Sequence, residues 1–434
     1  MLTETTQALP PRYVSPAGPP SAYAMLTRAL SDPASVISDA IYSDWSLKLP
    51  GPRSPVVVSH PDAVRQVLLD KDGAFGRNRQ LRMLMRRAWG KGLAAAEGES
   101  WSRQRQAAAP AFKPAAVQSA VPAMAAAAER AARSWSTDAP IDLSVALARI
   151  VTEIVMTTLL TGLDDADLDA IAADVPPFIR AAAHFGLLDL LPVPDAWIDR
   201  LRGMGRGAPE QRLRAVAARL AAARATPPDR VQDIAALMRG AGPLADNLLG
   251  FLPAGLETTA QAAAWGLYLL ALYPDWQDAV YREALAADAT DPTLPIGRQV
   301  VQETLRLYPP GPILVRAALR HSELQDHRLH TGQVVILPVF AIHRHRQLWD
   351  RPDAFDPDRF APGAAYDRGA FLPFGAGPRL CIAAAFAQTE IAVMMAVLLR
   401  HFRFTPAAPE PVISLKTTTH SLTGLHVIAT PRRG

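Results

Sequence analysis

Cysteine is almost absent from this chain: there is one, Cys381, in 434 residues. An intramolecular disulfide is therefore impossible, and the chain reads as cytoplasmic rather than secreted. Residues 1–20 are polar and proline-rich, with no basic stretch leading into an apolar one, so no secretory signal is expected. Runs of Lys and Arg interleaved with aromatics are also missing, and a nucleic-acid-binding surface is not expected. The longest apolar stretch, 244–273, is interrupted by Asp246, Pro253, Glu257 and Gln261. A membrane span needs roughly 20 apolar residues with few or no charges. A buried helix crossing the middle of a large domain is the better reading.

What is present is ample core-forming material. Hydrophobic residues make up 49% of the chain and charged residues 20%, with a formal net charge of +4. That mild excess of base suits an acidic partner. No internal repeat and no long linker divide the sequence. The reading is one mostly α domain with small β-sheets, residues 21–434, behind a flexible N-terminal arm, residues 1–20. The pattern predicts a strand at 55–59, a helix at 60–69, and a loop with a short helix at 74–98. A helix runs from Trp101, interrupted by Pro110 and Pro114, and Ala/Leu/Arg helices fill 115–240. A helix at 299–308 is stopped by Pro309 and Pro310. Short β-like runs follow at 313–317 and 333–339, an apolar helix at 383–401, and a hairpin around Gly424 at 412–430.

The most informative segment is Phe374-Gly375-Ala376-Gly377-Pro378-Arg379-Leu380-Cys381. Its glycines let the backbone approach something flat and bulky. Pro378 stiffens the loop, and Arg379 supplies a cation two residues before the thiol. Cys381 is expected to open the following helix, whose unpaired N–H groups lower a thiol's pKa. A second segment, Ala254-Gly255-Leu256-Glu257-Thr258-Thr259, lies inside the long apolar helix. Pro253 and Gly255 are poor in a helix interior and predict a break. The Thr258 hydroxyl can reach the Ala254 carbonyl one turn earlier. Glu257, a charge in an apolar run, needs a partner or a water channel.

The cysteine segment resembles the haem-binding signature of cytochrome P450 enzymes, with Ala383 where the family usually has Gly. The resemblance extends over roughly residues 20 to 430 and implies a haem-thiolate monooxygenase of the single-domain P450 fold carrying haem b. It implies that Cys381 is the proximal ligand of the iron, that Phe374 and Gly375 pack beside it, and that Arg379 binds a haem propionate. Trp101, Arg105 and Arg316 match further propionate-binding positions. Ala254 and Gly255 would line the oxygen pocket. Thr258 and Glu257 match the family's acid–alcohol pair for proton delivery, with Pro253 unusual at its place. Glu303, Arg306 and Arg359 match a structural lock behind the cysteine loop.

By the same analogy, substrate contacts fall in 75–97, 176–204, 248–258, 310–316 and the hairpin near 418–422. Phe178, Phe185, Leu252, Leu256, Ile313 and Leu314 are the candidate pocket residues, and their character implies a hydrophobic small molecule such as a terpenoid, fatty acid or polyketide. Arg77, Arg79, Arg82, Arg86 and Arg87 are candidates for meeting an acidic group on it. Dioxygen would be the co-substrate. Electrons would come from a separate ferredoxin or flavodoxin, with Arg103, Arg344, Arg346 and Arg351 as a candidate docking face. No membrane anchor is expected. Three alternatives stay open: a peroxygenase, which as a peroxide user needs no proton relay, or a C–C or C–O coupling oxidase; a haem sensor or carrier; and a non-haem metal site at His343 and His345.

Overall fold

Long stretches rich in Ala and Leu fold as helices that approach one another closely, and short β-branched runs between Pro and Gly form the sheets. The computed structural model describes residues 9–21, 23, 25, 28, 32–51, 54–135, 139–182, 207–224, 233–287 and 294–432. In chain order the elements are β1 (Ser46–Lys48), β2 (Val56–Val58), α1 (Pro61–Leu69), β3 (Phe75–Gly76), α2 (Arg79–Trp89), α3 (Gly98–Ala108) and α4 (Pro114–Ser134). Then come β4 (Ile141–Asp142), α5 (Leu143–Thr158), α6 (Asp165–Ala182), α7 (Ala208–Ala223), α8 (Leu244–Leu272), α9 (Pro274–Ala286) and α10 (Pro295–Leu307). The C-terminal part holds β5 (Leu314–Ala318), β6 (Ser322–Leu324), β7 (His327–Leu329), β8 (Val334–Leu337), α11 (Ala384–His401), β9 (Phe402–Pro406), β10 (Ile413–Ser414), β11 (His420–Ser421) and β12 (His426–Pro431).

The main core lies where α4, α5, α8, α10 and α11 meet, around Met124, Leu147, Ile154, Leu267 and Leu398. Trp265 of α8 stacks on Tyr308 at 3.9 Å and closes that core toward the sheets. The largest sheet runs β1-β2-β8-β5-β3. Its β5 carries Arg316 opposite Val335. Local signals explain the helix starts beside it: Asn78 caps α2 through the Leu81 N–H at 2.9 Å, and Asp142 caps α5 through the Ser144 N–H at 2.9 Å.

Two expectations change. The tail is not one hairpin around Gly424. Instead β10 pairs with β11, while β12 crosses to β9 and β4. The strands of the tail therefore belong to two different sheets. The predicted break in α8 is also missing: the helix runs through Pro253 without interruption. Proline removes one N–H there, and dense packing against α5, α7 and α11 keeps the backbone helical. Near the N-terminus, Tyr13 packs edge-on against Phe340, and the Tyr308 hydroxyl donates to the Pro11 carbonyl at 2.7 Å. Part of the expected loose arm is therefore held to the body.

Behind the cysteine loop lies a fully buried ion pair. Arg306 Nε and Nη2 donate to the two oxygens of Glu303 at 2.6 and 2.7 Å. Nη1 and Nη2 also donate to the carbonyls of His343, Pro352 and Ala354 at 2.6–2.8 Å. Burial works against both charges, raising Glu303 and lowering Arg306, and these bonds oppose it. The Asp356 N–H adds a further donor to Glu303 at 2.8 Å, and Arg359 lies 3.6 Å from the same carboxylate. Replacing Arg306 by Leu strands a buried carboxylate and three carbonyls. The expected loss is about 3–5 kcal/mol, read by urea unfolding. A loss within 1 kcal/mol, on the order of a surface ion pair, contradicts this.

Candidate active site

A cavity of about 430 Å³ lies between α8 and the cysteine segment. One wall is made of small residues of α8, Ala254 and Gly255, with Thr258 a turn further on. The Thr258 hydroxyl donates to the Ala254 carbonyl at 2.7 Å, as the spacing predicts. The opposite wall carries Phe374, Gly375, Arg379 and Cys381. Gly375 and Gly377 take φ of +71° and +70°, which bends the loop tightly. A Cβ on Gly377 would collide with the Leu68 carbonyl at the end of α1. The Cys381 N–H donates to the Phe374 carbonyl at 3.0 Å.

Cys381 does not open the helix. α11 begins at Ala384, and Ala383 is its N-cap. Enclosure by protein pushes the thiol above its ordinary value, opposed by the Ala383 N–H and the charge of Arg105. The expected downward shift from a helix terminus is thus reversed, because the dipole's benefit is confined to the first turn and desolvation dominates here. The residue remains exposed on the side that faces the cavity.

One edge of the cavity is strongly cationic. Arg77, Arg105, Arg316 and Arg379 all line it, and desolvation pulls each guanidinium down, Arg379 to about 10. Glu97 is the acid set against them, 3.2 Å from Arg77 and 2.9 Å from Arg379. Arg379 also lies over the Trp101 ring at 4.4 Å. No hydrogen bond from the Arg105 side chain is made among the described residues, leaving that cation available to an anion. Arg77 was singled out in the sequence only for a substrate acid. Arg79, Arg82 and Arg86 of the same run are exposed and do not line the cavity.

Glu257 is placed differently from expectation. It does not line the cavity; its Oε1 accepts from the Thr418 hydroxyl at 2.8 Å. Its Oε2 has no hydrogen-bond partner among the described residues. Burial pushes this carboxyl up, while the Thr418 bond and the charge of Arg180 act against the rise. Among the candidate substrate residues, Leu314 lines the cavity, but Phe178, Leu252, Leu256 and Ile313 do not. Leu252 and Leu256 sit on the face of α8 roughly opposite Ala254, two residues being about 200° of helix turn, and they join the main core. Ile313 adjoins Leu314 in sequence and so faces the other way, packing toward Phe340 and Leu415. Phe178 packs edge-on against Trp89. Phe185 lies outside the described residues. Phe251 of α8 does line the cavity, so helix phase and not side-chain size decides which residues of α8 face it.

The candidate docking arginines also separate. Arg344 is buried and paired with Asp353 at 2.7 Å, Arg346 pairs with Asp39, and Arg351 with Asp356. Arg103 alone of the four is exposed without an ion pair among the described residues.

A model of the family described as Cytochrome P450 matches residues 42–192 and 240–426. The chain belongs to the cytochrome P450 family. A cyclooctat-9-en-7-ol 5-monooxygenase of Streptomyces melanosporofaciens is 30% identical over 388 residues, 82% of this chain and 81% of the relative. A cyclooctatin synthase of the same organism is 27% identical, covering 84% and 85% of the two chains. Protein LUTEIN DEFICIENT 5, chloroplastic, of Arabidopsis thaliana is 26% identical, covering 88% and 71%. This P450 is a monooxygenase, and the family implies a haem-thiolate cofactor. The cavity suits that group: a thiol on one wall, small residues on the other, and an edge of arginines short of anions. Among the described residues of the P450, no helix is long and apolar enough to cross a membrane.

Glu390 escaped the sequence reading. It is an acid in the apolar helix α11, 1% exposed, and it lines the cavity with Oε1 unpartnered among the described residues. The criterion that drew attention to Glu257, a charge in an apolar run, applies to it equally. Desolvation pushes its carboxyl well up. The folded protein therefore keeps a proton that the unfolded chain releases above the ordinary carboxyl range. Stability falls as pH rises through that window, by about 1.4 kcal/mol for each unit of elevation. Glu390→Gln carries no such proton. Its thermal midpoint is expected to match the parent at acid pH and exceed it at neutral pH; parallel curves contradict a protonated Glu390.

Proposed function

We propose that this P450 binds haem b with Cys381 as the axial thiolate and inserts one atom of dioxygen into a hydrophobic small molecule, by hydroxylation or epoxidation. The observation that carries this reading is the convergence on one cavity of Cys381, the Ala254–Gly255–Thr258 wall and four arginines. When bound, a thiolate-ligated haem supplies activation of dioxygen by pushing electron density toward it. Arg77, Arg105, Arg316 and Arg379, with the Trp101 indole N–H, would hold the propionates of that group. Phe374 and Gly375 shield and shape the thiolate side.

Thr258 keeps its hydroxyl proton on the Ala254 carbonyl and turns its oxygen lone pairs toward the cavity, where they accept a proton-bearing water. Glu257, holding its proton above the usual carboxylate range, resupplies that water by swinging from Thr418 toward the cavity. This relay favours dioxygen over peroxide as the oxidant. Glu303, Arg306 and Arg359 act structurally, keeping the cysteine loop in place.

The substrate is of the terpenoid, fatty acid or polyketide kind. The apolar lining from Leu93, Phe251 and Leu314 supports this, as does the relative named for oxidising cyclooctat-9-en-7-ol. Electrons arrive from a separate ferredoxin or flavodoxin, and the lone thiol suits the reducing cytoplasm. With a substrate found by spin-state titration, turnover under oxygen-18 gas is expected to place the label in the product. Thr258→Ala is expected to lower product per electron consumed by about a hundredfold without weakening haem binding. Unlabelled product, or unchanged coupling in the variant, overturns this reading.

A further inference from the structure

His343 follows the helical turn Val339–Ile342, and its side chain is completely buried. Its Nδ1 lies 3.1 Å from the carbonyl of Arg306, at the end of α10. Its Nε2 accepts the N–H of Leu372 at 2.7 Å. A backbone N–H pointing at Nε2 requires a lone pair there, so the ring proton sits on Nδ1 and is donated to Arg306. Adding a second proton would set N–H against N–H, and burial holds the ring neutral, its pKa lowered to about 3. These bonds also dispose of the metal-site alternative. Both nitrogens of His343 are occupied, and His345 stacks on Trp45 at 4.3 Å. No metal-binding cluster exists among the described residues.

We infer that His343 is a positioning residue that couples the Glu303–Arg306 pair to the thiol-bearing loop through one fixed tautomer. The coupling is continuous. Arg306 grips the His343 carbonyl at 2.8 Å with its guanidinium and the His343 ring with its own carbonyl. The ring grips Leu372, whose carbonyl takes the Gly375 N–H at 3.0 Å and so starts the turn that presents Cys381. The inference rests on the reading of Cys381 as the axial ligand. The position of Leu372, and through it the angle of the loop, depends on the Nε2 acceptor rather than on the volume of the ring.

Two conservative replacements separate the two bonds. In His343→Gln the side-chain oxygen reaches the place of Nε2 and accepts from Leu372. In His343→Asn the amide reaches only the place of Nδ1 and serves Arg306. The haem-loaded proteins are reduced under carbon monoxide, and the ratio of thiol-ligated to thiolate-ligated absorbance is read in mild denaturant. His343→Asn is expected to raise that ratio about tenfold over the parent, and His343→Gln to restore most of it. A control, Leu147→Ala in the distant core, is expected to lose stability while keeping the parental ratio. Equal ratios in the Asn and Gln variants, or a control that matches Asn, overturn the inference. Nitrogen-15 spectra of the unmodified protein give an arm independent of the thiolate. A bare Nε2 and a protonated Nδ1 from acid to neutral pH support it, and an Nε2–H signal overturns it. A parent without any thiolate form sinks the reading of Cys381 instead, and the nitrogen spectra still decide the tautomer.

Discussion

Glu303 and Arg306 face each other where no water reaches, and the rest of the site is built on that pair. A guanidinium with two bonds to one carboxylate and three to backbone carbonyls cannot be shifted without stranding several polar groups at once. Those carbonyls belong to His343, Pro352 and Ala354, in the irregular stretch before the cysteine loop. This stretch has little regular hydrogen bonding of its own, so one side chain fixes it as a strand ladder would.

The cavity inherits its polarity from this arrangement. Its walls are small or apolar, its floor carries the thiol, and its cations are gathered at one edge. Four partly desolvated guanidiniums around one acid form an unstable arrangement until an anion joins them. Desolvation pulls each below its ordinary value, and neighbouring arginines add to the lowering at Arg316 and Arg379. A flat ligand with two carboxylates at one margin would relieve the strain and be oriented by it. The same low dielectric that makes the cations costly alone strengthens them when paired.

The fold class and several residues of the candidate cavity are legible in sequence because they rest on local signals. A lone Cys behind two glycines and an arginine, a Thr one turn after Ala254, and Glu303 three residues before Arg306 each carry their geometry in their spacing. What was not legible depends on tertiary choice. Leu252 and Leu256 read as pocket residues in sequence, but the helix turns them to the core and presents Phe251, Ala254, Gly255 and Thr258 to the cavity. Glu257 was placed on the right helix, yet Thr418, far along the chain, holds its oxygen away from the cavity. Arg344 read as surface charge and is buried over Tyr308. Glu390 carries the same sequence signal as Glu257, a charge in an apolar run, but that signal does not say which cavity the helix turns it toward.

The central claim is that Cys381 is the sulfur that ligates the haem iron. The reduced carbon monoxide complex of the purified, haem-loaded chain tests it most directly, measured beside Cys381→Ser. A thiolate-type absorption band in the parent that vanishes in the serine variant is the predicted result. A parent without that band, or a variant that retains it, would contradict the account.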